Sequence, residues 1–310
     1  LGELLPELGK HLAADGKAIQ AWRKDDKEAA VGCKRQLNTD AGNEIVTYEW
    51  FGYKLHMLCD ATYEIPLAFD VTPATVHESP RLLKLVEQLR ERNKAVSQRA
   101  KTLAADKGYD DGEDKQQLYE EYGIVPIIPA RDMRQGVYEP LDPQRHDTLY
   151  ISPTGMIACK IRPMAAKREE AFMQMYYMGF EHKRNALKFR CPAAAWGIDC
   201  QNKEACQCSM KVKHGDYGRV VRVPIDRDPR LLGPIYPHSY KFEDLYKSRT
   251  SVERLFNRLD HQYGFELHYE MGLTRMRTRV AMSLIAMLAT AAGWIKAGKK
   301  KNLRRMFQAA

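Results

Sequence analysis

Hydrophobic positions along the chain fall into short strand-like runs and longer stretches with helical spacing. "HLAADGKAIQ" (His11 to Gln20) and "TLAADKGYDD" (Thr102 to Asp111) each carry a short apolar run into an acid and then a Gly or Lys-Gly step, the form of a buried strand ending at its carboxylate. Between them, "YEWFGYKLHMLCD" (Tyr48 to Asp60) and "YEIPLAFDVTP" (Tyr63 to Pro73) are rich in aromatic and branched residues and predict a hairpin. The polar stretch from about Arg23 to Glu44 predicts a long loop. In "HESPRLLKLVEQLRER" (His77 to Arg92), Leu82, Leu85, Val86 and Leu89 recur at helical spacing, which predicts a helix with one core-facing stripe. A polar helix from about Gly112 to Tyr122 and a strand in "IVPIIPA" complete an order β-β-β-α-β-α-β.

Composition narrows the class. The 310 residues, 44% of them hydrophobic, suffice for one large or two medium domains. Lys and Arg number 49 against 40 Asp and Glu, a formal charge of +9, which favours a polyanion over an acidic protein or a neutral metabolite as partner. The opening residues hold no basic or apolar leader, so a cytoplasmic, nucleoid-associated location is expected. "VAMSLIAMLATAAGWI" (Val280 to Ile295) falls short of the roughly 20 residues of a membrane span and predicts a buried helix, with no membrane partner.

The tetrapeptide Leu-Ala-Ala-Asp, ending at Asp15 and again at Asp106, has flanks that do not match, so its repetition points to shared chemistry and not to a duplicated fold. One such Asp alone is most often a turn cap. Two on adjacent strands would face one cleft, and the element order is that of an RNase H-like domain, in which a third acid arrives on a later helix. "YKFEDLYKSRTSVERLFNRLDHQYGFE" offers it: Tyr246, Arg249 and Glu253 fall at i, i+3 and i+7, on one face of a helix. A hydroxyl, a guanidinium and a carboxylate on one edge can grip a phosphate beside a metal, although an exposed Arg-Glu pair is the commoner use of this spacing. Three carboxylates supply hard oxygen ligands for two Mg²⁺ or Mn²⁺ ions, about 3.5 to 4 Å apart, in phosphoryl transfer.

Seven cysteines without a leader argue against a disulfide framework. Cys191, Cys200, Cys206 and Cys208 read C-x8-C-x5-C-x-C, a clustering that suits tetrahedral Zn²⁺. Scattered thiols are the alternative.

These residues resemble the DDE transposases of bacterial insertion sequences, in the branch with a Tyr-x2-Arg-x3-Glu-x6-Lys signature and an insertion before the Glu helix. The resemblance is carried over nearly the whole chain by "LAADGKAI", "WFGYKLHMLCD", "AFDVTPATVHES", "LAADKGYDD", "GRVVRVPIDRDPRLLGPI" and "LYKSRTSVERLFNRL". It implies Asp15, Asp106 and Glu253 as the catalytic, metal-holding triad and Tyr246 and Arg249 as phosphate contacts. Asp260 stands where the signature has Lys, leaving that DNA contact in doubt, with Arg258 close by. "GMIACKIRPM" matches a cysteine context of similar transposases, which implies the zinc set Cys159, Cys191, Cys200 and Cys206, with Cys208 as alternate; both quartets stay open.

The expected architecture is α/β. A mixed RNase H-like sheet flanked by helices occupies 1–129 and 241–310, interrupted over 130–240 by a β-rich insertion with too little apolar content for a generous core and therefore zinc-stapled. The expected activity is metal-dependent DNA cleavage and strand transfer at transposon ends, by a homodimer on double-stranded DNA. A metal-dependent DNA endonuclease of the same fold and a domesticated zinc-containing DNA-binding protein are the alternatives.

Overall fold

A computed structural model describes residues 1–38, 44–144, 148–161, 171–198 and 217–304. The chain divides into two compact units, one of Leu1–Tyr109, Glu121–Ile124 and Lys247–Ala310, the other of Asp110–Glu120 and Val125–Tyr246.

The first unit is built on a mixed sheet. Strands β1 (His11–Gln20), β2 (Ala30–Asn38), β3 (Glu44–Asp60), β4 (Ile65–Pro73) and β5 (Thr102–Ala104) join in the order β2-β3-β1-β5, with β4 also on β3. The first half of β3 pairs with β2, and the second half pairs with β1 and β4, all antiparallel. Strand β2 replaces the long loop expected over 23–44. It pairs with a part of β3 that outruns β1, where Val31 and Tyr48 are exposed, so no apolar alternation marked it as a strand.

Side chains alternate across β3. Tyr53, Leu55, Met57 and Cys59 enter one core with Ala13 and Ile19 of β1. The same core takes Val252, Leu255 and Leu259 of the helix Thr250–Tyr263 and Met276, Val280, Leu284 and Met287 of the helix Leu273–Lys296. The latter helix is long and apolar enough to cross a membrane by length and composition, yet one of its faces lines this core. The helix Ser79–Arg92 buries Leu82, Leu85, Val86 and Leu89, the stripe read from the sequence, each contributing about 1.5–3 kcal/mol.

Two details place the acids. Strand β1 does not end at Asp15 but continues to Gln20, held by β3, whereas β5 stops at Ala104. Strands β1 and β5 run parallel in the register Leu12↔Leu103 and Ala13↔Ala104, so the two Leu-Ala-Ala-Asp segments lie side by side.

The second unit contains β6 (Val125–Ile127) and two antiparallel sheets. One orders β7 (Glu139–Pro140), β8 (Leu149–Ile151), β9 (Ile157–Ile161) and β10 (Ala171–Gln174) as β10-β9-β8-β7. The other orders β11 (Tyr176–Glu181), β12 (Ala186–Arg190) and β13 (Val220–Pro224) as β11-β12-β13. Ile157, Leu187, Phe189, Val223 and Tyr236 are almost wholly buried in one cluster. The unit thus has an apolar core of its own, against the expectation that its composition allows little of one.

Of the cysteines expected to hold zinc, Cys159 lies on β9 inside this cluster with Thr148 Oγ1 3.5 Å from its sulfur, and Cys191 follows β12. Cys200, Cys206 and Cys208 lie outside the described residues. Among the described residues no disulfide forms.

Candidate active site

Asp15, Asp106 and Glu78 each place a carboxylate oxygen within 4.8 Å of the other two. Asp15 comes from the middle of β1 and Asp106 from the turn after β5, the two positions brought together by the register of the repeated tetrapeptides. Glu78 comes from the residue that opens the helix Ser79–Arg92. Sequence spacing gave no sign of it, since an acid at the head of a helix is an ordinary companion of the helix dipole.

Backbone donors hold two of the three. Gly16 N donates to Asp15 Oδ1 at 2.8 Å, and Gly108 N to Asp106 Oδ1 at 2.6 Å. Lys54 Nζ lies 3.4 Å from Glu78 Oε1. Burial, and then the Asp106 charge beside it, push the Asp15 carboxyl up to about 7. Three hard oxygen donors drawn together against their own repulsion fit a divalent cation such as Mg²⁺ or Mn²⁺.

Glu253 stands apart from that cluster, on the helix Thr250–Tyr263, and is tied to it through one side chain. Arg249 Nη1 is 2.6 Å from Glu253 Oε1 and 3.7 Å from Asp15 Oδ2. The Glu253 carboxylate is about half exposed, so its rotation is not blocked by packing.

Other expected contacts are placed differently. The continuous helix expected through Tyr246, Arg249 and Glu253 is interrupted: one helix ends at Tyr246, a 3-10 turn spans Lys247–Arg249, and a new helix starts at Thr250. Tyr246 closes the second unit, its ring stacked on Phe242, while Arg249 and Glu253 belong to the first. Arg258, expected on phosphate, is buried instead. Its Nη2 donates to the Glu64 carbonyl at 2.7 Å and lies 3.2 Å from Glu64 Oε2, and its Nη1 donates to the Leu303 carbonyl. A guanidinium so enclosed is not offered to DNA. Asp260, at the expected Lys position, pairs with Lys17 Nζ at 2.6 Å.

The comparisons bear on this geometry. A family model described as "Transposase DDE domain" matches residues 7–289, which include all four acids and Arg249. No curated protein and no solved structure matches the chain.

Proposed function

Because the chain belongs to the transposase DDE-domain family, we propose that it cleaves DNA at transposon ends and joins the freed strand to target DNA by phosphoryl transfer at the acidic cluster. The observation that carries this reading is the convergence of Asp15, Glu78 and Asp106 within 4.8 Å in a chain matched by that family over most of its length. A divalent cation bound there supplies the charge that activates the attacking oxygen and stabilises the leaving one during in-line displacement.

The chain's own residues supply the rest. Asp15 and Asp106 hold the cation. Glu253 is the third acid of the triad, freed when Arg249 turns from it to a DNA phosphate, whose two non-bridging oxygens its planar guanidinium can grip with two donors. Tyr246 contacts a flanking phosphate, the role that membership of the Tyr-Arg-Glu-Lys branch of the family would give it. The excess of nine positive charges draws double-stranded DNA to a homodimer. In the β-rich unit, Cys159, Cys191, Cys200 and Cys206 hold a structural Zn²⁺.

The test is Mg²⁺-dependent nicking of DNA that carries the element's terminal repeats. Wild-type protein nicks it, and Asp106→Asn abolishes nicking while still retarding the same DNA in a gel. Equal nicking by wild type and Asp106→Asn would remove the acidic cluster from the chemistry.

A further inference from the structure

The Asp-Gly and Asp-Lys-Gly steps after the repeated tetrapeptides have a common consequence in space. A Cβ built on Gly16 would stand 2.6 Å from Glu78 Oε1, and one on Gly108 would stand 2.9 Å from Glu78 Oε2. Neither glycine has a positive φ, so backbone conformation does not demand glycine at either place. At both, the missing side chain leaves room for an oxygen of Glu78, and at Gly108 also for Asp106 Oδ1, which a Cβ there would meet first, at 2.7 Å.

Tyr109 gives an independent sign. It is wholly buried, and its hydroxyl has no hydrogen-bond partner among the described residues. After burial itself, the charges of Glu78, Asp15 and Asp106 all bear on it, so the hydroxyl lies close to the cluster. A buried hydroxyl is normally paired. One close to three carboxylates gains a partner when a hydrated ion lies among them.

We propose that Glu78 is a direct ligand of the divalent cation, completing with Asp15 and Asp106 the site of the DNA-free protein, and that the Tyr109 hydroxyl bonds to the ion's hydration shell. This rests on the reading of Asp15 and Asp106 as cation ligands. Glu253, held by Arg249, then joins only when DNA draws that arginine away. The competing role for Glu78 is purely structural, as the ion-pair partner of Lys54 at 3.4 Å.

Mn²⁺ binding to the full chain without DNA, measured by electron paramagnetic resonance and calorimetry, separates the two roles. Glu78→Gln and Gly16→Ala weaken Mn²⁺ affinity by about tenfold or more, whereas Lys54→Met, which breaks the ion pair and keeps the carboxylate, does not. Gly16→Ala displaces the carboxylate without removing it, and so serves where Glu78→Gln fails to fold by circular dichroism. Wild-type affinity in folded Glu78→Gln, or an equal loss in Lys54→Met, overturns the proposal. Asp106→Asn keeps the two readings apart. If it loses Mn²⁺ while Glu78→Gln retains it, Glu78 alone is misassigned; if it binds Mn²⁺ like wild type, the cation site itself falls.

Discussion

Lys17 Nζ lies 2.6 Å from Asp260 Oδ2, with both side chains largely withdrawn from solvent. Lys17 is two residues beyond Asp15 on β1, so a cation occupies this edge of the site although residue 260 itself is an acid. Asp260 Oδ1 has no hydrogen-bond partner among the described residues, and burial, with Glu266 adding, raises its carboxyl despite the pull of Lys17. Lys17→Met should therefore cost about 2 to 3 kcal/mol in urea unfolding, chiefly by stranding Asp260. Exchanging the two, Lys17→Asp with Asp260→Lys, should recover most of that loss. A single mutant within about 0.5 kcal/mol of wild type would mean that the pair carries no weight.

Arg249 leads to a kinetic expectation. As the i,i+4 partner of Glu253 it contributes only about 0.3 to 0.5 kcal/mol, so Arg249→Lys should leave stability almost unchanged. Lysine keeps the charge and loses the planar pair of donors, and nicking should slow by about tenfold or more with DNA retardation retained. Unchanged nicking rates would return Arg249 to its ion pair.

How far the site was legible in the sequence follows from where each residue sits. Asp15 and Asp106 were visible because parallel pairing sets identical tetrapeptides side by side, and repetition survives in sequence. Glu78 was not visible, because two glycines on other segments admit it, and a glycine does not announce what fills its space. Arg258 was misplaced by proximity in sequence. Five residues after Glu253 is well over a quarter turn around a helix, toward the buried side. The stripe of the helix Ser79–Arg92 was legible in full, because a single period sets its burial. Strand β2 was not, because backbone pairing with β3 needs no apolar pattern.

Among the groups that make stability depend on pH, two act with opposite sign. His56 is buried, its Nε2 on Thr72 Oγ1 at 2.9 Å and its Nδ1 without a partner among the described residues. Burial, then Lys54, hold its imidazole down to about 4, with Arg81 adding and Asp70 opposing. The unfolded chain, with His near 6.5, takes up the proton first as pH falls, so stability is full above about 6.5 and declines toward about 4, by as much as about 3 kcal/mol. Asp15 acts the other way. Its folded carboxyl, at about 7, lies above the unfolded value, so its contribution is present at low pH and lost as pH rises from about 4 to 7. In metal-free protein the two largely offset. His56→Gln should leave stability that falls with rising pH, and Asp15→Asn stability that rises. Parallel urea midpoints for both mutants across that range would refute the assignment.

Zinc content tests the cysteine set. If Cys159 is a ligand, metal measured on purified protein should fall in Cys159→Ser and persist in Cys208→Ser. The reverse would assign the compact set ending at Cys208. Metal-free wild type would leave Cys159 as the core residue that its place among Leu149, Ile157 and Met175 already makes it.

Arg258 offers the sharpest contrast between a structural cation and a DNA contact. It joins the Glu64 carbonyl and carboxylate to the Leu303 carbonyl, and the same Glu64 carboxylate receives Arg254 Nε at 2.6 Å. Glu64 is almost wholly buried, so removing Arg258 strips a buried charge of one of its cations and leaves two backbone carbonyls without their donor. Arg258→Leu should lower stability by about 3 to 5 kcal/mol in urea unfolding. Its effect on DNA should be nil once the folded fraction is accounted for. In a salt titration of DNA affinity each lost phosphate contact reduces the slope by about 0.9, so a structural Arg258 predicts a slope equal to wild type. A shallower slope with unaltered stability would place its guanidinium on phosphate after all.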